Sequence, residues 1–344
     1  MKKIAFFDTK PYDKTYFEKY KDKYGFEFKY YESKLNEDTS KMTAGFDGVV
    51  AFVNDDVNSH VIDRLYDNGI HVIAMRCAGY NNIDFKSAYG KIHVLRVPAY
   101  SPYAVAEHAM AMALTLNRKT HRAYIRTRDF NFSLNGLVGF DLHGKTAGII
   151  GTGKIGRVFI DICRGFGMKV IAYDPYPAEN SGIDYVTLDE LCKNADIISL
   201  HCPLTESTRH IINKKTLSDM KKDAYIINTS RGALIDSEAL LEAIKDEEIG
   251  GAALDVYEEE TELFFEDFSG EIIQDDVLTR LISMPNVLVT SHQAFLTREA
   301  LENIADTTLK NLRDFYEDKP LANEICYHCQ RNQSCKKEHG GRCF

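Results

Sequence analysis

Six residues, Gly151-Thr152-Gly153-Lys154-Ile155-Gly156, form a glycine-rich turn directly after the apolar run Thr146–Ile150, and the following run, Lys169–Asp174, ends in a carboxylate. Glycines in this G-x-G-x-x-G spacing, between a strand and a helix, suit a dinucleotide pyrophosphate. Gly151 allows the tight turn, Gly153 lets the backbone approach the phosphates, and Gly156 lets helix and strand pack closely. Lys154 and Ile155 open the helix, whose unsatisfied N–H groups attract anionic charge. Asp174 is placed to hold the two ribose hydroxyls. A 2′-phosphate would meet its charge, and neither Pro175 nor Tyr176 supplies a compensating cation, which selects NAD over NADP.

A second group of reactive side chains lies near the C-terminus. Cys326, Cys329, Cys335 and Cys343 follow a C-x2-C-x5-C-x7-C spacing, with His328 and His339 among them. In a reducing compartment such clustering favours metal ligation over disulfides. Four thiolates would suit a structural zinc or an iron–sulfur cluster, although the spacing matches neither standard pattern; a redox-sensitive thiol pair and a ligand-free tail are the alternatives. Cys77, Cys163, Cys192 and Cys202 are scattered and read as small apolar fillers.

The elements that must position these groups alternate between short β-rich runs and helical patterns, as in parallel sheets covered by helices. One block holds runs 3–8, 26–30, 48–53, 71–75 and 92–97. After a long helical segment from Pro102 to about Arg128, a second block holds runs 146–150, 169–174, 196–201, 224–229, 252–256 and 287–291. Residues 297–316 again carry helical apolar spacing, which frees the chain end to return to the first block. The expected organisation is an outer domain of residues 1–100 and 299–325, a cofactor domain of residues 101–298 inserted into it, and a Cys-rich tail of residues 326–344. The cleft between two such domains is the expected site.

The chain's 344 residues are 44% hydrophobic, ample for two cores, and carry a net charge of −9 with both signs scattered. That pattern argues against a nucleic-acid footprint and against a basic helix for an anionic membrane. No apolar run approaches a bilayer span, and Met1-Lys2-Lys3 precedes only four apolar residues, so the expectation is a cytoplasmic protein acting on small molecules.

Six motifs follow one another in order: Arg76-Cys77-Ala78-Gly79-Tyr80-Asn81-Asn82-Ile83-Asp84, Val97-Pro98-Ala99-Tyr100-Ser101-Pro102, the Gly151 turn, Asn228-Thr229-Ser230-Arg231-Gly232, Leu254-Asp255-Val256-Tyr257-Glu258-Glu259-Glu260 and Ser291-His292-Gln293-Ala294-Phe295. Across residues 1–320 the chain thereby resembles the D-isomer-specific 2-hydroxyacid dehydrogenases, most closely the D-lactate dehydrogenases among them. The resemblance implies an α/β fold in which a Rossmann NAD-binding domain is inserted into a flavodoxin-like outer domain. It also implies NAD as cofactor and reversible reduction of a 2-oxo acid to the D-2-hydroxy acid, with pyruvate as the first expectation and branched-chain or aromatic 2-oxo acids as the alternative. A different class, an NAD-sensing corepressor on the same fold, would bind peptide and turn over poorly; the complete set of acid, carboxylate and arginine disfavours it.

By the same resemblance, His292 donates a proton to the carbonyl oxygen in reduction and removes the hydroxyl proton in oxidation, a task that suits imidazole. Glu260 matches its carboxylate partner; a run such as Glu258–Glu260 is by default a wet face, and only the family register picks Glu260. Arg231 offers a two-pronged contact to the substrate carboxylate or carbonyl. Ala78 and Gly79 present N–H groups to the substrate carboxylate. Arg76 and Tyr100 match cleft positions, while Tyr12, Phe52 and Phe295 are candidate walls or plain core aromatics. Cys202, Pro203 and Thr208 match the segment over the adenine and its ribose, and Thr229, Ser230 and Asp255 line the nicotinamide side. Family habit and the helical segment after Pro102 suggest a homodimer through the cofactor domain.

Overall fold

The computed structural model describes residues 1–258, 263–330 and 341–344. Five short parallel strands come first: β1 (Lys2–Phe6), β2 (Phe26–Tyr30), β3 (Gly48–Ala51), β4 (Val72–Met75) and β5 (His93–Leu95). A second set follows: β6 (Thr146–Ile150), β7 (Lys169–Tyr173), β8 (Asp184–Tyr185), β9 (Ile197–Leu200), β10 (Tyr225–Asn228), β11 (Gly251–Leu254) and β12 (Val287–Val289), before β13 (Glu324–Ile325) near the chain end. They divide between two compact units, Met1–Ser101 with Thr297–Phe344, and Pro102–Leu296.

In the first unit the strand order is β13-β5-β4-β3-β1-β2. Apart from the edge strand β13, which pairs antiparallel with β5, this is the flavodoxin-like order. β3 and β4 are buried along their whole length, as a parallel strand covered on both faces must be. The helix Pro11–Tyr24 begins on proline and stops at Gly25, whose φ of 74° provides the left-handed cap. The helix Arg298–Tyr316, capped by the Thr297 hydroxyl, packs its apolar stripe Ala300, Leu301, Ile304, Ala305, Leu309 and Leu312 into this unit. Residues close to the end are built in as well. The Cys343 N–H donates to Glu324 Oε2 at 2.6 Å, and the Phe344 ring stacks 4.1 Å from His93.

In the second unit all seven strands are parallel, ordered β12-β11-β10-β9-β6-β7-β8. This is the Rossmann arrangement, with the order reversing at β6 and one strand added beyond β11. The helical segment after Pro102 is two helices, Pro102–Arg118 and Thr120–Arg128, separated by Lys119 at φ 51°. The cause is long-range. Buried Asn117 accepts the Phe140 N–H at 2.9 Å and donates to its carbonyl at 2.7 Å, while Lys119 Nζ reaches the Val138 carbonyl at 2.6 Å. Among the described residues, no helix is long and apolar enough to cross a membrane.

Candidate active site

Because β6 to β12 run parallel, the loops after all seven strands leave the sheet at one edge, where open α/β sheets take ligands. The turn after β6 shows why its glycines are required. Gly151 sits at φ 96°, and a Cβ there would lie 2.6 Å from the Cys202 nitrogen. A Cβ on Gly156 would lie 2.1 Å from the Gly151 carbonyl oxygen. Gly153 differs: its Cβ would meet nothing within 4 Å. The protein's own packing does not demand a glycine at 153, whereas a phosphate lying against that backbone would. Lys154 and Ile155 begin the helix Lys154–Gly165 that carries the free N–H groups.

Asp174, just past β7, accepts the Thr152 N–H at 2.7 Å, the Thr152 hydroxyl at 2.8 Å and the Tyr176 N–H at 2.9 Å. Burial opposes its charge, but these donors and the Arg157 charge hold the carboxyl below the ordinary aspartate range. The carboxylate is therefore ionised and fixed beside the glycine turn, as a ribose acceptor must be. After β9, Cys202 packs on Gly151. The Thr208 hydroxyl is engaged by the loop itself, donating to the Pro203 carbonyl at 2.7 Å and accepting the Thr205 N–H at 2.8 Å, so Thr208 shapes this segment. Burial pushes the Cys163 thiol up to about 12, and those of Cys192 and Cys202 up to about 11, as suits apolar fillers.

After β10 the chain turns around Asn228, the first residue of the Asn228–Gly232 motif and without an assigned role there, although an asparagine at a strand end is a turn signal. Asn228 Oδ1 accepts the Ser230 N–H at 3.0 Å and its Nδ2 donates to the Arg231 carbonyl at 2.9 Å. The Ser230 hydroxyl donates to the Cys202 carbonyl at 2.7 Å, tying two loops together. Gly232 follows because nothing larger fits: a Cβ there would lie 1.9 Å from the Tyr257 carbonyl carbon. Half-buried Arg231 donates from Nη1 to the Ser230 carbonyl at 2.7 Å. The Thr229 hydroxyl is buried with no hydrogen-bond partner among the described residues, a polar atom left for a ligand.

His292, after β12, adopts φ 52°, a left-handed conformation that a non-glycine residue holds only when its surroundings impose it. Asp255, fully buried at the end of β11, imposes it. Its carbonyl accepts the His292 N–H at 2.7 Å, Oδ1 accepts the Thr290 hydroxyl at 2.6 Å and the Gln293 N–H at 2.9 Å, and Oδ2 accepts the Ala294 N–H at 2.8 Å. His108, on the helix after Pro102, brings Nε2 to 3.4 Å from the same carboxylate. Burial works against the Asp255 charge, yet His108, Thr290 and the two backbone donors hold its pKa below the usual range. The His292 ring lies 5.6 Å from Phe265. Glu258 is committed elsewhere, to Arg209 at 2.7 Å and His210 at 2.9 Å. Glu260 lies outside the described residues.

In the first unit, the segment after β4 carries Cys77, Ala78 and Gly79. The N–H groups of Ala78 and Gly79 have no partner among the described residues, while the Ala78 carbonyl accepts from Arg96 at 3.1 Å. The Tyr100 carbonyl is held by Asn303 at 2.7 Å. Arg76 departs from its expected place among the substrate contacts. It is 2% exposed, donates to the Asp8 carbonyl at 2.6 Å, and pairs with Asp13 at 3.2 Å. Its guanidinium is buried against aromatic rings, so direct contact with a substrate is closed to it. Phe52 at 4% exposure and Phe295 at 9% are also largely buried, and Tyr12 is partly so. Of the cysteine cluster, Cys326 and Cys343 are buried, whereas Cys335 and the Cys329 side chain lie outside the described residues. Among the described residues, no group of three or more His, Cys, Asp or Glu could hold a metal.

A family model described as "D-isomer specific 2-hydroxyacid dehydrogenase, NAD binding domain" matches residues 110–294. The chain belongs to this family. The dehydrogenase is 50% identical over 327 residues to the D-lactate dehydrogenase of Escherichia coli (strain K12), covering 94% of this chain and 99% of that protein. The apo-structure of D-lactate dehydrogenase from Escherichia coli superposes with a TM-score of 0.87 at 48% identity, covering 94% of this chain and 99% of the other. The NAD-complexed D-isomer specific 2-hydroxyacid dehydrogenase from Lactobacillus delbrueckii ssp. bulgaricus gives 0.80 at 32% identity, with the same coverage of each chain. The dehydrogenase is thus an NAD-dependent oxidoreductase acting on D-2-hydroxy acids, with a Rossmann-containing two-domain fold. The glycine turn, the ionised Asp174 and the unsatisfied Thr229 hydroxyl fit NAD.

Proposed function

We propose that this dehydrogenase reduces pyruvate to D-lactate. The observation that carries the reading is the His292 loop, built entirely on Asp255, at the same sheet edge as the Arg231 turn and the glycine turn. The 50% identity to a D-lactate dehydrogenase over 94% of the chain supports pyruvate over larger 2-oxo acids. NADH, when bound at the glycine turn and Asp174, supplies the hydride. His292 then protonates the carbonyl oxygen as charge builds on it, and in the reverse direction removes the hydroxyl proton. Arg231 orients the substrate carboxylate and polarises the carbonyl, since a guanidinium keeps its charge and offers parallel donors. Glu260 is the carboxylate partner of His292, Asp255 fixes the histidine loop, and the Ala78 and Gly79 N–H groups receive the substrate carboxylate. On this reading residues 102–296 bind the cofactor and supply Arg231 and His292 to the reaction, and the unit with both chain ends supplies the Ala78 and Gly79 N–H groups.

The test is a set of initial rates with NADH against pyruvate, 2-oxobutyrate, 2-oxoisocaproate and phenylpyruvate, with chiral analysis of the product. Pyruvate should lead and the product should be the D-isomer. A His292→Gln variant should bind NADH as before and lose several orders of magnitude in turnover; unreduced turnover would mean that the proton comes from elsewhere.

The enzyme is also inferred to be a homodimer through the cofactor unit. Tyr124, Ile125, Phe130, Phe132, Leu134 and Val138 are all more than half exposed on one stretch of chain, an apolar surface that a lone protomer would leave wet. Sedimentation at working concentration should read a dimer, and a monomer there removes this inference. A cytoplasmic setting suits an enzyme whose Cys163, Cys192 and Cys202 remain thiols.

A further inference from the structure

Within the glycine turn, every polar group of Thr152 is engaged by the protein itself. Its N–H and its hydroxyl both donate to Asp174 Oδ2, at 2.7 and 2.8 Å, and its carbonyl accepts from Arg157 Nε at 3.0 Å. Thr152 is 3% exposed, so this position of the turn serves Asp174 and is closed to a ligand. A further contact comes from the edge of the sheet. Tyr185, on the two-residue strand β8, brings its hydroxyl to 3.0 Å from the Thr152 hydroxyl, and the same phenol oxygen lies 3.3 Å from the Ala178 nitrogen. β8 pairs with β7 so that Tyr185 lies opposite Ala172, two residues before Asp174. A strand this short offers few ladder hydrogen bonds; what it fixes is the place of the phenol beside the glycine turn.

The protons in this chain of contacts run one way only. An ionised carboxylate accepts and never donates, so the single Thr152 hydroxyl proton goes to Asp174. The Thr152 oxygen then takes the Tyr185 proton, and the Tyr185 oxygen takes the Ala178 N–H. Ala178, Tyr185, Thr152 and Asp174 thus form a directed series that ends on the carboxylate, and each hydrogen bond polarises the next. Of a carboxylate's roughly four acceptor sites, Thr152 fills both on Oδ2 and the Tyr176 N–H takes one on Oδ1. Among the described residues the remaining site on Oδ1 stays open. A ribose hydroxyl that approaches it meets an oxygen whose direction is already set.

We propose that Tyr185 is a positioning residue for the cofactor: acting through Thr152, it aims the Asp174 carboxylate at a hydroxyl of the adenosine ribose of NAD. Without the phenol, Asp174 keeps its charge and still repels a 2′-phosphate. What it loses is a fixed direction, because the Thr152 hydroxyl is then free to turn and the Ala178 N–H is left without its acceptor. Tyr185 therefore sets how much the ribose hydroxyl contributes to binding, and leaves to Asp174 the choice between NAD and NADP.

The experiment uses the full-length enzyme without substrate and measures dissociation constants for NADH and for its analogues lacking the 2′- or the 3′-hydroxyl of the adenosine ribose. In wild type, removing the hydroxyl that Asp174 holds should weaken binding by about tenfold, as expected for a hydrogen bond to a charged group. In Tyr185→Phe, NADH itself should bind about fourfold more weakly, and removing the same hydroxyl should then cost about threefold or less, because most of the contact is already gone. The deoxy analogue should therefore bind wild type and variant about equally. Thr152→Val keeps the branched shape, loses the hydroxyl and should behave like Tyr185→Phe, whereas Thr152→Ser, which restores a hydroxyl, should recover the wild-type penalty. A merely loosened domain would weaken all the dinucleotides alike and leave the penalty at its wild-type value; that result overturns the proposal, and so does a Tyr185→Phe enzyme that binds NADH as tightly as wild type. A wild-type enzyme indifferent to both hydroxyls is equally fatal, since Asp174 would then hold neither. Should Tyr185→Phe not fold, Thr152→Val carries the same expectation and the same ways to fail.

Discussion

Two buried aspartates, one in each unit, do the same structural task with opposite electrostatic outcomes. Asp55 gathers the N–H groups of Phe52 and Leu35, both at 2.6 Å. Asp255 gathers those of Gln293 and Ala294. Asp55 is pushed up to about 7, because burial outweighs its two donors, Asp8 adds a like charge nearby, and Arg76 offsets only part of this. Asp255 is held below the usual range, because His108 and the Thr290 hydroxyl join its two backbone donors. The difference lies in the side-chain donors that Asp255 has beyond the backbone and Asp55 lacks. The carboxylate that fixes the His292 loop is kept ionised, and the one that fixes the Phe52 turn is pushed up to about 7.

Of the two aspartates, the larger effect should come from Asp255→Asn. An amide cannot accept all three of the hydrogen bonds that Thr290, Gln293 and Ala294 now give, so the strained His292 conformation relaxes. Misplacement of that kind costs about 100-fold in kcat, with NADH affinity changed far less. A variant within threefold of wild type would show that the loop holds itself.

A smaller effect, on stability alone, separates the two carboxyls by sign. The folded state binds the Asp55 proton more tightly than the unfolded chain does, so this group's contribution falls as pH rises from about 4 to about 7, by no more than about 4 kcal/mol. Asp255 runs the other way. Its folded pKa is depressed, so its contribution is complete at neutral pH and is lost as pH falls through and below the ordinary aspartate range. Unfolding midpoints of Asp55→Asn and Asp255→Asn, each compared with wild type between pH 3 and 8, should diverge in opposite directions. Two slopes of the same sign would break the comparison.

Much of the cofactor half can be read from sequence because its signals are local. A strand, three glycines at fixed spacing and an acidic strand end lie within one short stretch, and their structural context matches. Strand positions agree to within a residue or two wherever four or more residues show an apolar run. β8 and β13, at two residues each, are too short to show any period. The break at Lys119 is hidden for a different reason: it is imposed by Asn117 and Phe140, whose pairing no local pattern announces. Arg76 illustrates the same limit. An arginine beside a cysteine and small residues reads as a surface or site cation, and only the fold reveals that Asp13, far away in the chain, draws it inward. Asn228 and His108 act on their neighbours' loops, and a residue whose contribution is to hold another leaves little trace in spacing.

The close approach at Gly232 constrains any redesign. With the Tyr257 carbonyl pressed against its α-carbon, the turn bearing Arg231 and the strand exit leading into the acidic run have no independent freedom. A graft that brought in a bulkier residue after the arginine would displace the start of that run, so the two segments can be exchanged between cousins only as a single cassette.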